Sequence, residues 1–328
     1  MIHKKSLHLE KTVKIYDRYR KFLPVVSFTG GFLWDSLTLT RIDRLSDNLI
    51  LMAYIILLGL ALILVNLHEN GRLQSPFLLK YSEWYPLGVQ FFLGGLFSSY
   101  VVFYFQSASL TKDWLFLAIL IFLLLANEFF EKRLTNLYLQ TILYSVVTFS
   151  FFIFFIPVVI GRIGVFVFLL SGLVALLFIA GLILLLNRTF KIITPVQRRN
   201  IIGLVAGLFL ILNIFYFLNW IPPVPLALKS GGIYHHVVRS GNDYLLSFEK
   251  PAWYQFRKSS DNPFRYAEGD SVFCFAAVFA PTHLNTEIFH FWQHYDSRKQ
   301  KWETTDRLGY AVTGGRKEGY RGFTFKRN

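Results

Sequence analysis

Long apolar runs alternate with short polar breaks through the first two thirds of this 328-residue chain, and the pattern then changes period. A helix needs about 20 mostly apolar residues to cross a ~30 Å hydrocarbon core. Six runs meet that length, at roughly 48–66, 86–106, 113–130, 137–157, 163–187 and 200–221. Aromatic residues mark their ends, as at a membrane–water interface: Tyr81, Trp84 and Tyr85 before the second, Trp114 opening the third, Trp220 closing the last. A seventh stretch, 22–40, reads FLPVVSFTGGFLWDSLTLT and carries Gly30-Gly31 and Asp35. By pattern alone it spans, lies in the interface or is re-entrant.

After residue 221 the helical pattern stops. Pro222, Pro223 and Pro225 cannot continue a helix and disfavour helix before them. Segments 243–248, 271–279, 286–295, 299–312 and 320–326 then alternate β-branched or aromatic with polar residues, separated by Gly, Asp, Asn and Pro. The expected architecture is an α-helical membrane bundle of about seven spans followed by a small all-β, antiparallel sandwich-like or open-barrel domain. The segments are a basic tail (1–21), the helical domain (22–221), a Pro-containing linker (222–229) and the β domain (230–328).

Composition sharpens this division. Only 16% of residues are charged, against about 25% in soluble domains. The net charge of +14 divides into +9 through residue 221 and +5 beyond it, without a dense cluster. That distribution argues against nucleic acid as a partner and for basic loops that set topology. With seven spans and the tail inside, 15 Lys/Arg of tail and loops fall on the inner side and 4 on the outer; with six spans the split is 11 to 8. The seven-span arrangement therefore fits better. It places the N-terminus in the cytoplasm and the β domain outside it, in the periplasm of a Gram-negative cell. No apolar core with a cleavage site follows the basic N-terminus, so it reads as a retained tail.

Polar groups inside apolar runs are costly and so suggest function. Asp35 and Glu128 are the intramembrane candidates; Glu128 with Lys132, four residues on, forms an expected i,i+4 ion pair. Gln90, Gln140 and Asn213 are expected to tie helices together, and Gly203 and Gly207 give a weak GxxxG spacing. The lone Cys274 excludes an intramolecular disulfide and reads as a buried strand residue.

His235, His236, His283, His290 and His294 raise the question of a metal. In Ile288–His294 alternate residues share a face, so His290, Trp292 and His294 line one side and Phe289 and Phe291 the other. Four residues of strand span about 13 Å, too far for His290 and His294 to sit about 2.0–2.1 Å from one zinc. The sequence calls for no metal and no other cofactor. It contains no GxSxG elbow, phosphate-binding Gly loop or HExxH motif, and Gly314-Gly315 reads as a turn.

The stretch Phe273–Lys326, with Cys274, His290-Phe291-Trp292 and Tyr320-Arg321-Gly322-Phe323-Thr324-Phe325-Lys326, resembles the DUF2914 domain of bacterial polytopic membrane proteins. In that family a His-x-Trp strand accompanies a strand with Arg followed by Ser/Thr-x-Lys. Residues 27–43 are similar to the opening segment of such proteins. The resemblance implies an inner-membrane architecture and no chemistry. The family continues into a further strand where this sequence reaches Asn328, which suggests truncation.

Three functional classes remain. The first, favoured, is a membrane-anchored accessory or binding protein of the bacterial envelope. Its β domain would recognise an envelope protein or glycan through His290, Trp292, His294 and Arg321. The second is a transporter or channel using Asp35 and Glu128. The third is a membrane enzyme, for which no catalytic motif is found. The lipid bilayer is the one partner implied directly, and the oligomeric state is left open.

Overall fold

The computed structural model describes Leu33, Asp35 and Leu37, then residues 44–107, 114–127, 136–222, 225–241, 243–251, 253, 258–267, 269–281, 284–316 and 319–327. Its described residues include seven α-helices: α1 (Leu45–Glu69), the short α2 (Pro76–Lys80), α3 (Tyr85–Ser107), α4 (Trp114–Asn127), α5 (Leu137–Ile160), α6 (Val165–Leu184) and α7 (Pro195–Phe217). Five, α1, α3, α5, α6 and α7, are long and apolar enough to cross a membrane; the described part of α4 has 14 residues. Of segment 22–40 only Leu33, Asp35 and Leu37 are described, and all three are helical.

Local signals set the helix ends. Thr194 and Gln197 form a reciprocal capping box ahead of Pro195, satisfying backbone donors at the start of α7. The last span stops before the prolines expected to end it. Asn219 takes a left-handed φ of 55°, while Asn219 and Trp220 return hydrogen bonds to Tyr216 and Phe215. This Schellman arrangement closes the helix at Phe217. Gly71 (φ 62°) does the same for α1, where any side chain would be strained.

The helical unit is packed by interleaved aromatics and small residues. On α1, Leu51, Ile55, Leu58, Leu62 and Val65 repeat at helical spacing and are buried. Gly95 receives the Tyr54 ring, and Gly172 the Phe209 ring, which itself stacks on Phe149 at 5.7 Å. Asn66 of α1 donates to Gln140 of α5. Gln90 of α3 and Asn127 of α4 exchange side-chain-to-backbone bonds of 3.1 and 3.0 Å. Two of the expected polar ties thus join helices. The third does not, since Asn213 bonds the Phe209 carbonyl of its own helix. Among the described residues nothing lies within 4 Å of a Cβ at Gly203 or Gly207, so their spacing brings no described helix close.

The second unit joins residues 153–171 to the chain beyond residue 222. Its strands are β1 (Ala227–Tyr234), β2 (His236–Ser240), β3 (Asp243–Ser247), β4 (Ser271–Phe279), β5 (Asn285–Asp296), β6 (Lys301–Thr313) and β7 (Tyr320–Arg327), all paired antiparallel. Strands β1 and β2 go beyond the five expected from the sequence, and β1 begins inside the segment read as linker. A three-stranded sheet, β1-β4-β7, carries one hairpin on each face. Phe273, Phe275, Ala277 and Phe323 pack with Val237, Tyr244 and Leu246 of the β2–β3 hairpin. The other face, with Cys274, Gly322 and Thr324, receives the β5–β6 hairpin. Around the base of that hairpin, Leu284 and Val312 are buried with Ala280, and Ile163 of the α5–α6 connection packs against them. Gly314 lies so close to the Pro281 carbonyl that no Cβ fits, which explains the glycine at this turn.

Candidate functional site

The β5–β6 hairpin has two unlike faces. Alternation puts His290 and Trp292 on its inner face, and both reach one hydroxyl on β7. Trp292 Nε1 donates to Thr324 Oγ1 at 3.2 Å, and His290 Nδ1 lies 2.9 Å from the same oxygen. The indole can only donate, so it takes one of the hydroxyl's two lone pairs. The other imidazole nitrogen, Nε2, is buried and has no hydrogen-bond partner among the described residues. Burial also pushes the His290 pKa below its ordinary value. Beside it, Tyr310 lies over Gly322 and its hydroxyl is pushed up to about 12, chiefly by burial. The Cys274 thiol is likewise raised by burial, so it stays protonated. Further along β7, Lys326 pairs with Asp306 and donates to Thr305 at 2.8 Å.

The four residues expected to form a single binding surface are therefore divided. His290 and Trp292 meet at Thr324 and hold the hairpin to the sheet. His294 shares their face but is exposed beyond them. Arg321 projects from the opposite face of β7, where it pairs with Asp243 at 2.7 Å. The separation follows from strand geometry: Arg321 and Thr324 are three residues apart, an odd number, so they face opposite ways. Of the intramembrane candidates, Asp35 is half-buried with its carboxyl facing the Ser98 hydroxyl. Glu128 and Lys132 lie outside the described residues.

The outer face of the hairpin holds none of the candidates expected from the sequence. Phe289 lies over Gly309. The Arg307 guanidinium stacks on Phe289 at 3.8 Å and reaches Phe291 at 5.6 Å. Gln293 donates to Thr304 at 3.3 Å, and Tyr295 meets Trp302 edge-on at 5.4 Å. Phe291 is 58% exposed and Trp302 65%. A bulge aligns this row. Trp292 pairs with Asp306 but Gln293 with Thr304, so Thr305 is the extra residue on β6. In a regular ladder of the same sequence, Glu303 and not Trp302 would face outward beside Tyr295. The Phe-x-Phe-x-Gln-x-Tyr alternation on β5 is visible in the sequence; the bulge is not.

A second polar cluster pins the connection between β3 and β4. Asp261 is 1% exposed and takes 2.8 Å and 3.0 Å contacts from Lys258 Nζ and the Glu249 amide. His235 lies 3.7–3.9 Å from Asp261, Glu249 and Asp270, under the Phe264 ring. The Lys258 ammonium pairs with two of these carboxylates, Asp261 at 2.8 Å and Glu249 at 3.6 Å. Among the described residues no group of three or more His, Cys, Asp or Glu is arranged to hold a metal ion.

Comparison of the chain with protein-family models, with curated proteins and with solved structures gave no match.

Proposed function

We propose that the chain is a membrane-anchored recognition protein of a bacterial envelope. In this reading about seven spans hold it in the inner membrane, and the β domain stands on the periplasmic side. That orientation is supported by the 15-to-4 distribution of Lys and Arg between the two sets of loops. The β domain, akin to DUF2914, then serves to bind an envelope component.

One observation carries the recognition role. The domain covers both faces of its central sheet with its own hairpins, yet leaves Phe291, Tyr295 and Trp302 exposed in one row. Exposed aromatics in a row, beside an arginine, are the residues that dominate binding energy at protein surfaces. The binding surface is thus shifted from the His290, Trp292, His294 and Arg321 set to the outer face of the same hairpin.

A genetic comparison tests this. Replacing Phe291, Tyr295 and Trp302 together by serine should reproduce the phenotype of deleting the gene, with the protein inserted at normal levels. The competing reading is a transporter, favoured by the half-buried Asp35 facing Ser98. It predicts instead that Asp35→Asn or Glu128→Gln reproduces the deletion while the triple variant behaves as wild type.

A further inference from the structure

We infer that the outer face of the β5–β6 hairpin binds an acidic oligosaccharide, an inference that rests on the recognition role above and names its ligand class. The face is a ladder about 20 Å long, from Phe289 to Tyr295 at strand rise. Rings stand at both ends, with Arg307 and Gln293 between them. Flat, exposed rings suit the C–H faces of sugar rings, and the amide offers a donor and an acceptor to hydroxyls. Arg307 supplies the charge preference. Its guanidinium is held flat on Phe289 and makes no ion pair with a carboxylate of the described residues, whereas Lys299, Lys301 and Lys326 are each matched with Asp296, Glu303 or Asp306. A planar fork fixed in place binds a carboxylate in two parallel hydrogen bonds.

The polar groups within the row select this occupant over a lipid surface, because Arg307, Gln293 and Thr304 interrupt the aromatic rings. The open end of the hairpin is the end packed with Ile163 of the α5–α6 connection. The Tyr295–Trp302 pair lies at the other end, so the row runs the length of the hairpin as an extended surface suited to a polymer.

The test uses the full chain in lipid nanodiscs, titrated with a galacturonic acid hexamer, a neutral maltohexaose and inorganic polyphosphate. The hexauronate is expected to bind saturably, and the neutral hexamer about tenfold more weakly. Trp302→Ala and Arg307→Ala should each weaken uronate binding about tenfold, Arg307→Lys nearly as much, and Trp302→Phe little. No saturable uronate binding, binding unchanged in the alanine variants, or equal binding of polyphosphate overturns the inference. A photo-crosslinker at Thr304 in cells separates the two levels. A protein adduct without uronate binding overturns the glycan while leaving recognition standing. An adduct to a second copy of the chain identifies self-association and also overturns it. No adduct and no binding overturns both.

Discussion

Thr324 is the residue on which the hairpin's attachment turns, because one hydroxyl serves both His290 and Trp292. Thr324→Val keeps the shape and removes both bonds, leaving a half-buried indole N–H and an imidazole unsatisfied. It is expected to destabilise the β domain by about 1–3 kcal/mol, measured by urea titration followed through tryptophan emission; Thr324→Ser should recover most of the loss. The same site gives a pH dependence with a definite sign. Burial lowers the His290 pKa in the folded state, so between that value and the ordinary one near 6.5 the unfolded chain binds more protons. Stability is therefore greatest above about pH 6.5 and falls as pH drops through the window. His290→Gln should flatten that slope. Alternation along β5 already sets His290 and Trp292 on one face. The sequence could not show that Thr324 lies opposite them, because the pairing of sheet and hairpin is a contact between residues 32 and 34 positions apart.

At the scale of elements, what repeats locally was legible and what depends on pairing was not. The β3–β7 boundaries follow closely from local patterning: β3, β5 and β6 have one covered and one open face, while β4, covered on both, is apolar almost throughout. β1 escaped because its Lys229-Ser230-Gly231-Gly232 run lacks an apolar alternation; partner β4 makes it a strand. The last helix ends at an asparagine in left-handed conformation, a signal weaker in sequence than the prolines after it. The Thr305 bulge had no signal in the alternation of 299–312, yet it decides which residue accompanies Tyr295. Deleting Thr305 should give a regular ladder in which Gln293 still pairs with Thr304 and Trp302 still lies outward beside Tyr295. The expected result is a well-inserted protein whose tryptophan emission and near-UV dichroism are kept, while loss of the local twist and of the Lys326–Thr305 bond lowers its thermal midpoint. A changed aromatic spectrum would mean that β6 does not keep this register without Thr305.

For the whole molecule, the membrane class was written in apolar run length, and five helices among the described residues meet that standard. The number of spans and the orientation were read from charge, which acts on loops and leaves no mark in helix packing. Orientation is also the premise of the functional account, because an envelope ligand is reachable only if the β domain stands outside the cytoplasm. The most direct test is a pair of reporters fused after Asn328 of the full chain. One is a phosphatase active only outside the cytoplasm, the other a fluorescent protein that matures only inside it. The account predicts an active phosphatase and a dark fluorescent fusion. A bright fluorescent fusion with an inactive phosphatase would put the β domain in the cytoplasm and contradict it.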